Sequence, residues 1–171
     1  MEYKASLDTL AKIITASTVI LFLFIGYRSV RALSVSHSDS ITLLIHGGLL
    51  LILFVTLLVC FLYSPRSYKV DNVDLTIVRP ANNKKIKLTD ISEIRAIAEG
   101  EMTGTVRTFG DGGLFGYYGK YYNSKIGSMT LYATQKQNRI LITTKQGKKI
   151  VITPDDLSII DYINDHLHLK S

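Results

Sequence analysis

Tryptophan is absent from this 171-residue chain, cysteine occurs once and proline three times. A lone thiol, Cys60, supports neither an intrachain disulfide nor a thiolate zinc site, which excludes the cross-linked secreted scaffolds. Acidic residues are few: 14 Asp and Glu against 20 Lys and Arg. They are scattered, and no nucleophile-and-His grouping or metal-ligand spacing accompanies them. No basic cluster exceeds Lys84, Lys85 and Lys87, so nucleic acid is not an expected partner. The expectation is a protein that is not an enzyme, with no catalytic residue, metal, cofactor or small-molecule substrate.

Charge is also missing from two long stretches near the N-terminus. Ile41–Tyr63 holds 23 residues with no formal charge, interrupted only by Thr42, His46, Thr56 and Cys60. As a helix it reaches roughly 35 Å, enough to cross a hydrocarbon core of about 30 Å. The earlier run, Ile13–Tyr27, is shorter; started at Leu10 it reaches 18 residues, with Lys12 snorkelling to the headgroups. Tyr27 with Arg28, and Tyr63 with Arg66 and Tyr68, place rings and cations where the interface favours them. Ala16-Ser17-Thr18 lies inside the first run, not after it, so the run reads as a retained anchor and not a cleaved signal.

The pattern predicts a membrane hairpin over residues 1–65, with spans at about 10–27 and 41–63 and a polar loop at 28–40. Asp39 or Ser40 is the expected N-cap of the second span. His46 is an ionisable group near its start, and Gly47-Gly48 predicts close approach of the two spans. Five basic residues on the terminal side (Lys4, Lys12, Arg66, Lys69, Arg79) face two in the loop (Arg28, Arg31). That bias predicts a cytoplasmic soluble domain at the cell membrane.

Residues 66–171 carry 16 Lys and Arg against 11 Asp and Glu, +5 of the chain's +6, and they change period. Leu75–Val78 and Lys84–Leu88 read as strands around an Ala81-Asn82-Asn83 turn. Ile91–Ile97 fits strand or helix equally. Ser128–Thr134 alternates cleanly, Gln135–Asn138 turns the chain into Arg139–Thr144, and Gln146-Gly147 leads to Lys149–Thr153 as a hairpin. Thr153 as N-cap, Pro154 at the first position and Asp155 and Asp156 at the dipole's positive end predict a helix there. Its apolar stripe is Leu157, Ile160, Ile163 and Leu167. Six or seven strands and one helix imply a curled antiparallel sheet plugged by the helix, an α+β fold. His166 and His168 on the last turn read as exposed side chains and not metal ligands.

Between these elements, glycine recurs at 110, 112, 113, 116 and 119 among Phe109, Phe115, Tyr117, Tyr118, Tyr121 and Tyr122. A dinucleotide fingerprint from Gly110 needs glycine where Phe115 stands. A Walker loop ending at Gly119-Lys120 needs glycine at Leu114 and a hydroxyl at Tyr121's position other than a phenol. Collagen needs long repeats and proline. None of these applies. Arg107-Thr-Phe-Gly-Asp-Gly-Gly-Leu-Phe-Gly-Tyr-Tyr-Gly119, with Tyr132-Ala-Thr134, Asn138–Thr144 and Gly147–Asp155, resembles the bacterial pleckstrin-homology-like (PH-like) domain family over about residues 66–168. The resemblance implies a partly open antiparallel β-barrel of seven strands capped by a C-terminal helix, often behind a membrane hairpin, with no catalytic residues. Eukaryotic relatives by fold bind phosphoinositides through basic residues between the first two strands. Tyr68–Asp74 offers Lys69 against Asp71 and Asp74, a departure from that pattern.

Two readings of the segment stand side by side. Its rings fill the barrel mouth, or Arg107, Phe109, Gly110, Gly112, Gly113, Phe115, Gly116, Tyr117, Tyr118, Gly119, Tyr121 and Tyr122 form a contact surface for a protein partner or a second copy. Lys84, Lys85 and Lys87 are either a solvated turn or a contact with anionic headgroups. The expected function is a membrane-anchored interaction or scaffold module, with anionic-lipid sensing, or service as an accessory subunit of a membrane enzyme or transporter, as alternatives.

Overall fold

A computed structural model describes residues 1–35 and 40–168, with every side chain among them except Val35, Leu167 and His168. Two long apolar helices come first, α1 (Thr9–Val35) and α2 (Ser40–Tyr63). Both are long and apolar enough to cross a membrane, and almost none of their residues are fully buried in the protein. Helix α1 runs well past the expected end at Tyr27, because Arg28–Leu33 contains no glycine or proline and Arg and Leu favour helix. Asp39, one of the two N-caps expected for α2, lies outside the described residues. Gly47 and Gly48 face open space. The close approach is instead at Gly26, whose missing Cβ would lie 3.7 Å from Leu50.

The polar domain is built from two sheets. The four-stranded sheet has the order β1-β2-β3-β4, where β1 is Glu2–Lys4, β2 Ser67–Val70, β3 Asp74–Val78 and β4 Lys84–Lys87. The six-stranded sheet has the order β5-β9-β10-β8-β7-β6, where β5 is Ile91–Ala96, β6 Val106–Gly112, β7 Tyr117–Asn123, β8 Gly127–Ala133, β9 Ile140–Thr144 and β10 Lys149–Ile152. Helix α3 spans Ile159–His168. Between the sheets, Tyr68, Leu75, Ile77 and Ile86 meet Ile94, Ile140, Ile142 and Ile152, and α3 closes this core with Ile159 and Ile163. A second cluster (Tyr121, Met129, Leu131, Leu141, Val151) lies on the other face of the six-stranded sheet. Ile97 and Met102 cover it from a loop that the Arg95–Glu101 pair clamps at 2.9 Å. The Arg95 hydrogen bonds hold the Glu101 carboxyl down at about 2.

Four features depart from the sequence expectation. Strand β1 precedes both helices and pairs antiparallel with β2, setting Tyr3 opposite Tyr68. The Met1 ammonium donates to the Val70 carbonyl at 2.7 Å, and Val70 N–H donates back to the Met1 carbonyl at 2.9 Å. The sheets do not close into a barrel, since β4 and β6 each end a sheet without pairing to one another.

Third, the sheet is not wholly antiparallel, although β9 and β10 form the expected hairpin. Strand β10 inserts between β8 and β9 and runs parallel to β8, setting Val151 beside Leu131. The run Lys149-Ile-Val-Ile152 suits that central place, because both of its faces are buried, Ile150 and Ile152 on one and Val151 on the other.

Fourth, α3 begins at Ile159, not Pro154. Asp156 accepts the Ser158 N–H at 2.9 Å and the Ser158 hydroxyl at 2.8 Å just ahead of the helix. Thr153 is drawn inward instead: its hydroxyl accepts the Thr134 N–H at 2.9 Å, and its own N–H donates to the Tyr68 phenol. Leu157 is exposed, the buried stripe is Ile159 and Ile163, and the Leu167 side chain lies outside the described residues.

A fragment of residues 66–171 should therefore melt well below the same fragment with Met1–Ser6 restored through a short flexible linker. Losing the packing of the buried Tyr3 ring alone costs about 3 kcal/mol. Equal melting temperatures would show that β1 contributes nothing.

Candidate functional site: the glycine-aromatic hairpin

Residues 106–123 form the hairpin β6–β7, and its tip packs against both long helices. Strands β6 and β7 pair with Gly110 opposite Gly119. Each of these glycines has a φ near +120°, and a Cβ on either would strike the facing backbone, at the Tyr118 carbonyl from Gly110 and the Phe109 carbonyl from Gly119. Two facing glycines are thus required by the close strand approach. At the tip, a Cβ on Gly113 would meet the Ile14 side chain of α1 at 2.5 Å.

Tyr117 and Tyr118 are successive strand residues, so they point to opposite faces of the sheet. Tyr117 packs with Ala11 of α1, and its hydroxyl donates to the Asp8 carboxylate at 3.2 Å. Asp8 is the N-cap of α1: its Oδ1 accepts the Ala11 N–H at 2.7 Å, and its Oδ2 accepts the Lys136 N–H at 3.1 Å. The Tyr118 hydroxyl donates to the Cys60 carbonyl at 2.7 Å. That carbonyl is among the last four of α2, which no intrahelical donor satisfies. The hairpin tip therefore supplies a partner to one end of each helix.

The turn reinforces both contacts. Phe115 adopts a φ of 60°, unusual for a bulky residue. Its N–H donates to the Thr15 hydroxyl of α1 at 2.9 Å, and its ring meets Phe61 of α2 edge-on at 5.7 Å. Asp111 accepts the Gly113 and Leu114 N–H groups at 2.8 and 2.6 Å and the Cys60 thiol at 3.5 Å. Burial, with the neighbouring Asp8, pushes the Tyr117 phenol up to about 12. Burial, then Asp111 and Cys60, pushes Tyr118 well above the ordinary phenol range. Burial also raises Tyr121, with Arg107 opposing and Asp111 assisting, and the Tyr121 hydroxyl donates to the Asp111 carbonyl. These phenols stay neutral donors at neutral pH.

Of the twelve residues expected to form a contact surface, Gly113, Gly116, Tyr117, Tyr118 and Tyr121 are buried inside the chain, and Phe115 and Gly119 are half-buried. An outward surface of all twelve is thereby corrected: the tip is occupied by the chain's own helices. Arg107, Phe109, Gly110, Gly112 and Tyr122 are exposed, with Phe109 at 76%. Arg107 lies over Gly112, where a Cβ would meet its guanidinium at 2.7 Å.

Lys84, Lys85 and Lys87 are exposed on edge strand β4, around the buried Ile86. Lys85 approaches Asp74 at 4.0 Å, whereas Lys84 lines a cavity with Lys120, Lys148 and Lys149. His46 has a buried Nδ1 with no hydrogen-bond partner among the described residues. The His166 ring stacks on Tyr162 at 4.4 Å, and the His168 side chain lies outside the described residues. Asp8 escaped the sequence reading, although an Asp directly before a long apolar helix is a cap signal.

Two sheets around one core, a C-terminal helix and a hairpin tip held by packing and hydrogen bonds define a class of small β domain. The family model for the bacterial PH domain matches residues 66–164, more than half of the chain. The chain belongs to the bacterial PH domain family, whose members are generally non-catalytic interaction modules. No curated protein and no solved structure matches it.

Tyr117→Phe and Tyr118→Phe should each lower stability by about 1 kcal/mol, one hydrogen bond apiece, whereas either residue changed to Ala should cost about 3 kcal/mol or more. Thermal unfolding of the full chain in mild detergent measures this. Alanine variants that melt like the parent would show that the tip does not hold the helices.

Proposed function

We propose that the protein is a membrane-anchored scaffold module at the inner face of the cell membrane, binding a protein partner or a second copy along strand β6. Several features support the anchor. The helices expose Ile20, Leu23, Phe24, Leu44, Leu51 and Phe54 at more than half their surface, far more apolar area than water tolerates on a folded protein. Near the domain, Arg66 sits 4.6 Å over Phe61 and Arg79 sits 5.6 Å over Tyr63, a cluster of cations and rings at the end of α2. The cytoplasmic side rests on the five-to-two basic bias.

The observation that carries partner binding is the free edge of the six-stranded sheet. Strand β6 ends the sheet, and Val106 (61% exposed) stands opposite Tyr122 (50% exposed) beside Arg107. An unpaired, partly apolar edge accepts another strand unless something blocks it. The other free edge near it, β4, carries Lys84, Lys85 and Lys87, a charged edge that discourages pairing.

A photo-reactive phenylalanine placed at Val106 or Tyr122 in cells should yield a cross-linked product, and the same group at the exposed Lys145 should not. Absence of product at both strand positions would overturn the edge as the docking surface. Topology has its own check: with Cys60→Ser, a Lys145→Cys chain should resist an impermeant maleimide in intact cells and react after permeabilisation. Labelling of intact cells would place the domain outside.

A further inference from the structure

The inner face of the six-stranded sheet, the face that forms the main core, continues past that core. Tyr118, Lys120 and Tyr122 of β7 and Thr130 and Tyr132 of β8 lie on it, by strand alternation and the pairings Tyr118–Tyr132 and Lys120–Thr130. Because β4 and β6 do not pair, no strand of the other sheet covers this stretch. The end of α2 covers Tyr118, and the rest stays open as two adjoining cavities of about 520 and 500 Å³, within the roughly 300–1,000 Å³ of ligand sites. Thr130 and Tyr132 line both, so they form one groove.

The groove has a gradient of polarity. Its first half lies against α2 and is lined by Val59, Cys60, Tyr63 and the exposed Phe109, continuous with the apolar helix surface. The one carboxylate there, Asp111, is turned onto the Gly113 and Leu114 N–H groups. Its second half is lined by Lys84, Lys120, Lys148 and Lys149 and by the hydroxyl-bearing Thr108 and Ser128, with no carboxylate. Lys149 donates to the Ile126 carbonyl, but Lys84, Lys120 and Lys148 make no ion pair among the described residues. Arg79 lines the first half, lying 5.4 Å over the Tyr132 ring at the join.

We infer that this groove holds one anionic phospholipid, its acyl chain beside Val59, Tyr63 and Phe109 and its phosphate among Lys84, Lys120 and Lys148. The order of the halves matches the order of the molecule: the apolar end adjoins the helix that enters the bilayer, and the cations lie beyond it. Charge selects the headgroup, since three unneutralised ammonium groups attract a phosphodiester that lacks a compensating cation. The site is distinct from the β2–β3 turn, where Asp71 accepts the Val73 and Asp74 N–H groups and presents acid. This inference rests on the membrane-anchored reading and adds a ligand to it.

Full-length protein is reconstituted in bilayers of equal phosphatidylglycerol and phosphatidylcholine, moved to mild detergent, and its retained lipid is quantified by mass spectrometry. About one phosphatidylglycerol per chain is expected, with phosphatidylcholine at least tenfold lower. Lys84→Gln with Lys120→Gln and Lys148→Gln should reduce that retention at least tenfold, and so should Phe109→Glu. All four positions are exposed or half-exposed, and unchanged melting temperatures confirm folding. Equal retention of the two lipids, or retention indifferent to the triple variant, overturns the groove. Alkaline carbonate extraction separates this from the anchor: a chain released by carbonate overturns membrane anchoring, whereas a chain that stays but keeps no phosphatidylglycerol overturns the groove alone.

Discussion

The junction at Tyr117 and Tyr118 is the constraint on which the rest of the structure depends. Strand geometry sends these neighbours to opposite faces, and each face meets a different helix. Tyr117 reaches the carboxylate that caps the start of α1, and Tyr118 reaches a carbonyl left over at the end of α2. Helix ends carry unsatisfied backbone groups, so a hydroxyl delivered there has more effect than one delivered to a helix middle. The facing glycines 110 and 119 allow the two strands to approach, and Phe115 wedges between Thr15 and Phe61. A segment rich in glycine and rings is thus a coupling between domain and helices before it is anything else.

That coupling accounts for the open sheet. The tip of β6–β7 is committed to the helices, and strand β1, arriving from the N-terminus, occupies the outer edge of β2. Asp155 binds Ser6 through both of its oxygens, and its N–H donates to the Lys4 carbonyl, so the start of the chain is stitched to the link before α3. With β6 and β4 left unpaired, the inner face between them is lined by cations at one end and apolar groups at the other. The interaction surfaces proposed for this protein are therefore by-products of how the bacterial PH domain is joined to its two helices.

Much of the architecture is legible in the sequence. The two uncharged runs, the strands at 75–78, 84–87 and 128–133 and the C-terminal helix follow from period and punctuation, which are local properties. Ile91–Ala96, ambiguous by period, became a strand because Ile94 and Ile91 face a core supplied by other strands. The start of α3 departs from its local signature for a related reason. Thr153 and Pro154 carry the local signature of a helix start, but Thr134 and Tyr68, distant in sequence, claim the threonine's hydrogen bonds.

The sequence by itself determined what each segment is: apolar helix, alternating strand, glycine-aromatic turn, amphipathic cap. Tertiary structure alone decided what each segment is for. Which tyrosine is buried, which of three neighbouring lysines joins a cationic cavity, and that Asp8 both caps a helix and binds the domain depend on pairings across 36 to 128 residues of chain. Examples are Lys84 beside Lys120 and Asp8 beside Lys136. Local propensity does not encode such partners, because the energy of a contact depends on both groups and on the surface they leave uncovered.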